Sequence, residues 1–142
     1  MVIANSIGAF YAYEYLSEFK IKQAFFISPI ASMSQIIANY YLSGHISKEE
    51  LKEKGFVKAK DGTVFSYDFC ELYSKSDYHA NWDVPTDILY GDHDELVYIE
   101  NITDFLAAHP KAKLTIKRGA EHYFHTKEEK NFIKKWILRS LI

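Results

Sequence analysis

The stretch that decides the fold reads Met1-Val2-Ile3-Ala4-Asn5-Ser6-Ile7-Gly8-Ala9-Phe10. A short β-branched run closes on Ala4-Asn5-Ser6-Ile7-Gly8, and a long aromatic-rich stretch of helical character follows. A serine mounted on a strand-to-helix turn needs small residues two positions before and two after it, because the turn has no room for side chains on both flanks. Ala4 and Gly8 supply them. The plainer reading is a helix N-cap serine, since one small-x-Ser-x-Gly match arises by chance in many chains.

Two segments further along favour the first reading. Pro85-Thr86-Asp87-Ile88-Leu89-Tyr90-Gly91 is an apolar strand that ends in glycine and runs into Asp92-His93-Asp94-Glu95. Carboxylates just past a strand's C-terminal end lie where open α/β sheets place their sites. Ala112-Lys113-Leu114-Thr115-Ile116-Lys117 has a strand pattern too, and its loop carries Glu121-His122-Tyr123-Phe124-His125. Serine, acid and histidine in that order, each after a strand, is the chain order of the α/β-hydrolase triad and differs from the orders on other serine-protease folds.

With these motifs in place, the chain resembles the C-terminal part of an α/β-hydrolase, of the small esterase-like or lysophospholipase-like serine hydrolase kind. The resemblance runs through all 142 residues. It implies a partial α/β-hydrolase fold and a serine hydrolase acting on carboxylic ester, thioester or related acyl substrates without a cofactor. By the same resemblance Ser6 is the nucleophile, Asp94 the acid and His122 the base. It selects the third position after Gly91 for the acid, with Asp92 and Glu95 as the other candidates. The backbone N–H of Ile7, at the start of the elbow helix, is one oxyanion donor. The family places several strands and two helices ahead of the elbow strand, and a second oxyanion donor in one of those loops. Here Met1 falls at the start of the elbow strand. The rival expectation is a truncated chain that keeps the fold, has weak or no activity, and works by binding or assembly.

Composition supports a folded α/β domain and closes off other classes. With 48% hydrophobic and 16% aromatic residues the chain can build a core. A net charge of -2, with lysines scattered among acids, leaves no basic footprint for nucleic acid. No apolar stretch approaches the roughly 20 residues of a membrane span, and no signal-peptide pattern opens the chain, so the expected location is cytoplasmic. The lone Cys70 reads as a half-buried thiol. The pair His122-x-x-His125 lacks a nearby cysteine or carboxylate to complete a zinc site, and no metal is expected.

The remaining pattern gives the architecture. Ile7 to Phe19 reads as a buried helix and Gln23 to Ser28 as a short buried strand before Pro29. Residues 30–84 read as an insertion with a cap-like place in the chain: helices at Ser32 to Ser43 and Lys48 to Lys54, the latter opened by Ser47, then strands Val57 to Lys60 and Thr63 to Tyr67 about a two-residue Asp61-Gly62 turn of type I′. Tyr40, Tyr41, Phe65, Tyr67 and Tyr73 in that insertion read as its core rather than as an acyl pocket. Ile99 to Leu106 forms a helical stripe that stops before Pro110, and Thr126-Lys127-Glu128-Glu129 opens a final helix buried through Phe132, Ile133, Trp136 and Ile137. The expected sheet has about four mostly parallel strands flanked by helices. An elbow strand with no upstream neighbour exposes an edge, so a homodimer or larger homo-oligomer is expected, with a small-molecule acyl substrate as the other partner.

Overall fold

The computed structural model describes residues 1–75 and 81–141. Of these, residues 1–31 with 81–141 form one compact unit and residues 32–75 a second.

The first unit is a parallel sheet of four strands flanked by helices. Strands β1 (Val2–Asn5), β2 (Ala24–Ile27), β5 (Thr86–Gly91) and β6 (Ala112–Lys117) lie in the order β1-β2-β5-β6. Every pairing in it is parallel, with Asn5 opposite Ile27, Ile27 opposite Leu89 and Gly91 opposite Lys117. Strand β2 is buried at all four positions because its neighbours cover both edges and side chains cover both faces. Adjacent residues of a strand point to opposite faces. On one face Phe25 meets Trp136 edge-on at 5.5 Å, and on the other Phe26 stacks on Trp82 at 5.7 Å. Helix α6 (Lys127–Ser140) thus closes the Phe25 face, started by Thr126 and Glu129 in a reciprocal capping box. Helices α1 (Ile7–Tyr15) and α5 (Ile99–Ala108) meet through Tyr13 and Phe105, whose rings lie 5.6 Å apart.

Two expectations need correction here. Helix α1 ends at Tyr15 rather than Phe19, and it is not buried all round. Ala9, Phe10, Ala12 and Tyr13 face the core, while Ile7, Tyr11 and Tyr15 form an exposed stripe at four-residue spacing. Tyr15 and Phe19 are 56% and 65% exposed. Within α6, Trp136 is the buried residue, and Phe132, Ile133 and Ile137 are partly buried.

The second unit holds α2 (Met33–Leu42), α3 (Lys48–Lys54), the antiparallel pair β3 (Phe56–Lys58) and β4 (Val64–Ser66), and α4 (Tyr67–Tyr73). Ser32, Ser47 and Ser66 each cap a helix by accepting a main-chain N–H three residues on. Ile36, Ile37, Leu51, Phe65, Cys70 and Tyr73 are buried, and the Tyr40 ring lies 4.6 Å from Phe65. Burial pushes the Cys70 thiol up, away from the thiolate. The hairpin turn is not the two-residue type I′. Gly62 N–H donates to the Ala59 carbonyl and Ala59 N–H to the Thr63 carbonyl, so three residues make the loop, with Gly62 left-handed at φ 92°. Asp61 keeps a negative φ, and its carboxylate accepts from Thr63 N–H at 2.9 Å. Tyr67 starts a helix instead of ending a strand. Residues 76–80 of the sequence-defined insertion lie outside the described residues. Among the described residues no helix is long and apolar enough to cross a membrane.

Candidate active site

Ser6 sits between β1 and α1 with φ 50° and ψ -120°, outside the regions that L-residues ordinarily occupy. Main-chain bonds on both sides hold this corner. Ser6 N–H donates to the Ile27 carbonyl at 3.0 Å, and Ile30 N–H donates to the Ser6 carbonyl at 3.1 Å. A Cβ added at Gly8 would lie 3.8 Å from the Ala4 Cβ, so the two small residues face each other across the turn at ordinary contact distance. The Ser6 side chain makes no cap bond to its own helix. Its Oγ instead stands 2.8 Å from His122 Nε2.

His122 is buried in the loop after β6, and its Nδ1 lies 2.8 Å from Asp94 Oδ2. A carboxylate at Nδ1 fixes the proton there, leaving Nε2 as the acceptor that faces the serine hydroxyl. Asp94 is held in turn, its Oδ1 accepting from the N–H groups of Leu96 and Val97 at 2.9 Å each. These bonds turn the chain toward α5, whose first residue is Ile99, and α5 takes no side-chain cap. Asp94 therefore braces the loop and meets the histidine with the same carboxylate. Of the other acids after Gly91, Asp92 accepts from Gly119 N–H at 2.6 Å and Glu95 is exposed. Ile7 opens α1, where the first main-chain N–H groups have no intrahelical partner.

The acid and histidine loops are locked together at Gly91, and each is braced within itself, by contacts to which the sequence gives little clue. A Cβ on Gly91 would sit 2.3 Å from the Ala120 carbonyl oxygen, and that same oxygen accepts from His93 N–H at 2.9 Å. Only a glycine lets the two backbones approach so closely. Tyr90, buried in β5, donates its hydroxyl to the Val97 carbonyl at 2.9 Å, and burial pushes its phenol up to about 12. A strand residue four positions before an acid carries no signal for such a brace. His125 donates from Nδ1 to the Tyr123 carbonyl at 2.8 Å, which tightens the histidine loop. Among the described residues no cluster of His, Cys, Asp or Glu is arranged to hold a metal.

No protein-family model and no curated protein sequence matches the chain. Solved structures do. Alpha/beta hydrolase domain-containing protein 10 from mouse superposes with a TM-score of 0.75 at 15% identity, over 99% of this chain and 61% of that one. Est1E from Butyrivibrio proteoclasticus gives 0.76 at 20% identity, over 98% and 60%. A Pyrococcus furiosus esterase gives 0.57 at 23% identity, over 97% and 50%. At such identities the likeness establishes the fold: the chain has a partial α/β-hydrolase fold and spans at most 61% of the length of these three structures.

Proposed function

We propose that the chain is a serine hydrolase acting on carboxylic esters, thioesters or related acyl substrates, with Ser6 as nucleophile, His122 as base and Asp94 as the group that orients it. The observation that carries this reading is the unbroken line of hydrogen bonds from Ser6 Oγ through the His122 imidazole to Asp94, 2.8 Å at each step, starting from a serine in a strained turn. In this mechanism Ser6 Oγ attacks the carbonyl carbon while its proton passes to Nε2. Asp94 stabilises the imidazolium, which then protonates the leaving group. The Ile7 N–H, at the positive end of the α1 dipole, supports the oxyanion. No cofactor takes part.

An organophosphonate probe tests this, because phosphonylation needs an activated serine more than a full oxyanion hole. The expected result is a mass increase on Ser6 that is lost in His122→Ala. A folded protein whose Ser6 stays unmodified would overturn the proposal.

Two further proposals concern partners and organisation. Residues 30–84 are assigned as a cap-like insertion between β2, the strand after the elbow helix, and the acid strand β5. The exposed edge of β1 is assigned to a second copy of the chain. Strand β1 pairs with β2 alone among the described strands, and Val2 and Ser6 spend their N–H groups on that pairing. Alternation then turns the main-chain groups of Ile3 and Asn5 to the open side. An antiparallel contact across a two-fold axis through Ile3 satisfies both copies at once.

A further inference from the structure

The loop that carries His122 alternates in burial. Ala120, His122 and Phe124 are buried, while Glu121, Tyr123 and His125 face out. Phe124 inserts into the cluster of Phe25, Leu89 and Trp136, and His122 is pinned between Asp94 and Ser6. Tyr123 is therefore held from both sides, yet it is 63% exposed and its hydroxyl has no hydrogen-bond partner among the described residues. Its ring packs on that of His122, the two standing perpendicular with centroids 4.7 Å apart.

We propose that Tyr123 is a specificity-determining residue that receives the leaving group, and that it favours esters of phenols and other flat aromatic alcohols. The inference rests on the triad reading above. In acylation Ser6 Oγ bonds to the carbonyl carbon as its proton moves to His122 Nε2. The bond from that carbon to the leaving oxygen breaks, and Nε2 returns the proton to the departing oxygen. The leaving oxygen must therefore come within hydrogen-bond distance of Nε2. The Tyr123 ring is centred 4.7 Å from the centre of the same small imidazole that carries Nε2, so an aromatic leaving group long enough to span that imidazole can meet it. An exposed, rigidly mounted phenol ring offers a departing aromatic group an offset or edge-on partner, and offers a small leaving group almost nothing.

The test compares two probes with the same dimethylcarbamoyl group, one leaving as p-nitrophenolate and one as fluoride, because attack at a carbonyl carbon brings the leaving group to Nε2 and the carbamoyl-serine formed is long-lived. Each rate of Ser6 modification is read by mass spectrometry in the wild type, Tyr123→Ala and Tyr123→Phe. Because labelling is stoichiometric, turnover is not required. The ratio of the p-nitrophenyl rate to the fluoride rate is expected to fall about 3- to 10-fold in Tyr123→Ala, the size of one aromatic contact, and to recover in Tyr123→Phe. A ratio unchanged in Tyr123→Ala would overturn the proposal even if both rates fell, since Tyr123 would then only pack against His122. A folded wild type that reacts with neither probe would overturn the triad reading, and this inference with it.

Discussion

The two halves of the site are built to different standards. Asp94 and His122 stand after β5 and β6, whose loops are fastened through Gly91 against Ala120, Asp92 to Gly119, Tyr90 to Val97 and Asp94 to its own following turn. Ser6 stands between β1, which has one neighbour among the described strands, and α1, whose outer stripe lies in solvent. The lesson is that Ser6 is held by the pairing of β1 with β2, the main-chain bond from Ile30 and the buried face of α1, whereas Asp94 and His122 are held by bonds between and within their loops. Edge strands open more readily than interior ones, so motion at this site should come from the serine side.

Forcing the rigid half apart gives the largest expected effect. In Gly91→Ala the new methyl cannot fit 2.3 Å from a backbone oxygen, so one loop must move. We expect a loss of about 3 kcal/mol, the upper part of the overpacking range, and with it the register between Asp94 and His122. Urea unfolding measures the first and the Ser6 labelling rate the second. A variant as stable and reactive as the wild type would show that the loops are not locked. Tyr90→Phe is gentler, leaving the buried Val97 carbonyl without its donor at a cost of about 1 to 2 kcal/mol. If the brace serves the acid, labelling slows more in Tyr90→Phe than in an equally destabilising change elsewhere in the sheet.

The contrast also separates what could be read in the sequence from what could not. Ser6, Asp94 and His122 are legible because each sits at the end of a strand in a fixed chain order, and the serine's small neighbours are local. The interlock at Gly91 is not, since nothing nearby announces that Ala120 passes within contact distance. The choice among Asp92, Asp94 and Glu95 rests on resemblance alone until main-chain bonds to Leu96 and Val97 aim one carboxylate at the histidine. Helix α1 misleads for a physical reason. An all-round aromatic pattern predicts burial, but composition cannot distinguish a covered face from an apolar face that has no cover. The hairpin misleads because its loop takes three residues, with Gly62 alone of them left-handed, whereas a type I′ turn demands positive φ at both Asp61 and Gly62.

The weaker half can be probed at Ile3, which is 51% exposed on the open edge of β1. Ile3→Lys should change the stability of a single copy by no more than about 0.5 kcal/mol, as surface substitutions do, while placing like charges across the proposed two-fold contact. Light scattering is expected to report a dimer or larger assembly for the wild type and a monomer for Ile3→Lys. A wild type that is monomeric at micromolar concentration would remove the second copy as the occupant of this edge.

The smallest expected effect lies at the foot of the acid–base half. His109, at the C-terminal end of α5, is buried, donates from Nδ1 to the Trp82 carbonyl at 3.0 Å, and packs its ring 4.2 Å from Phe105. Its Nε2 is buried with no hydrogen-bond partner among the described residues, which disfavours a second ring proton. Burial lowers its pKa from the ordinary 6.5, although the Trp82 carbonyl pulls the other way. Above 6.5 the ring is neutral in both folded and unfolded chains and adds no pH dependence. As the pH drops below that value the unfolded chain takes up a proton that the fold refuses, so stability falls with falling pH. Urea midpoints followed from about pH 7 to about pH 5 should therefore decline in the wild type and decline less in His109→Gln, which retains a donor for Trp82 but cannot titrate. Equal slopes in the two proteins would mean that His109 gains its proton freely in the fold, and that the foot of β5 opens as easily as the edge at β1.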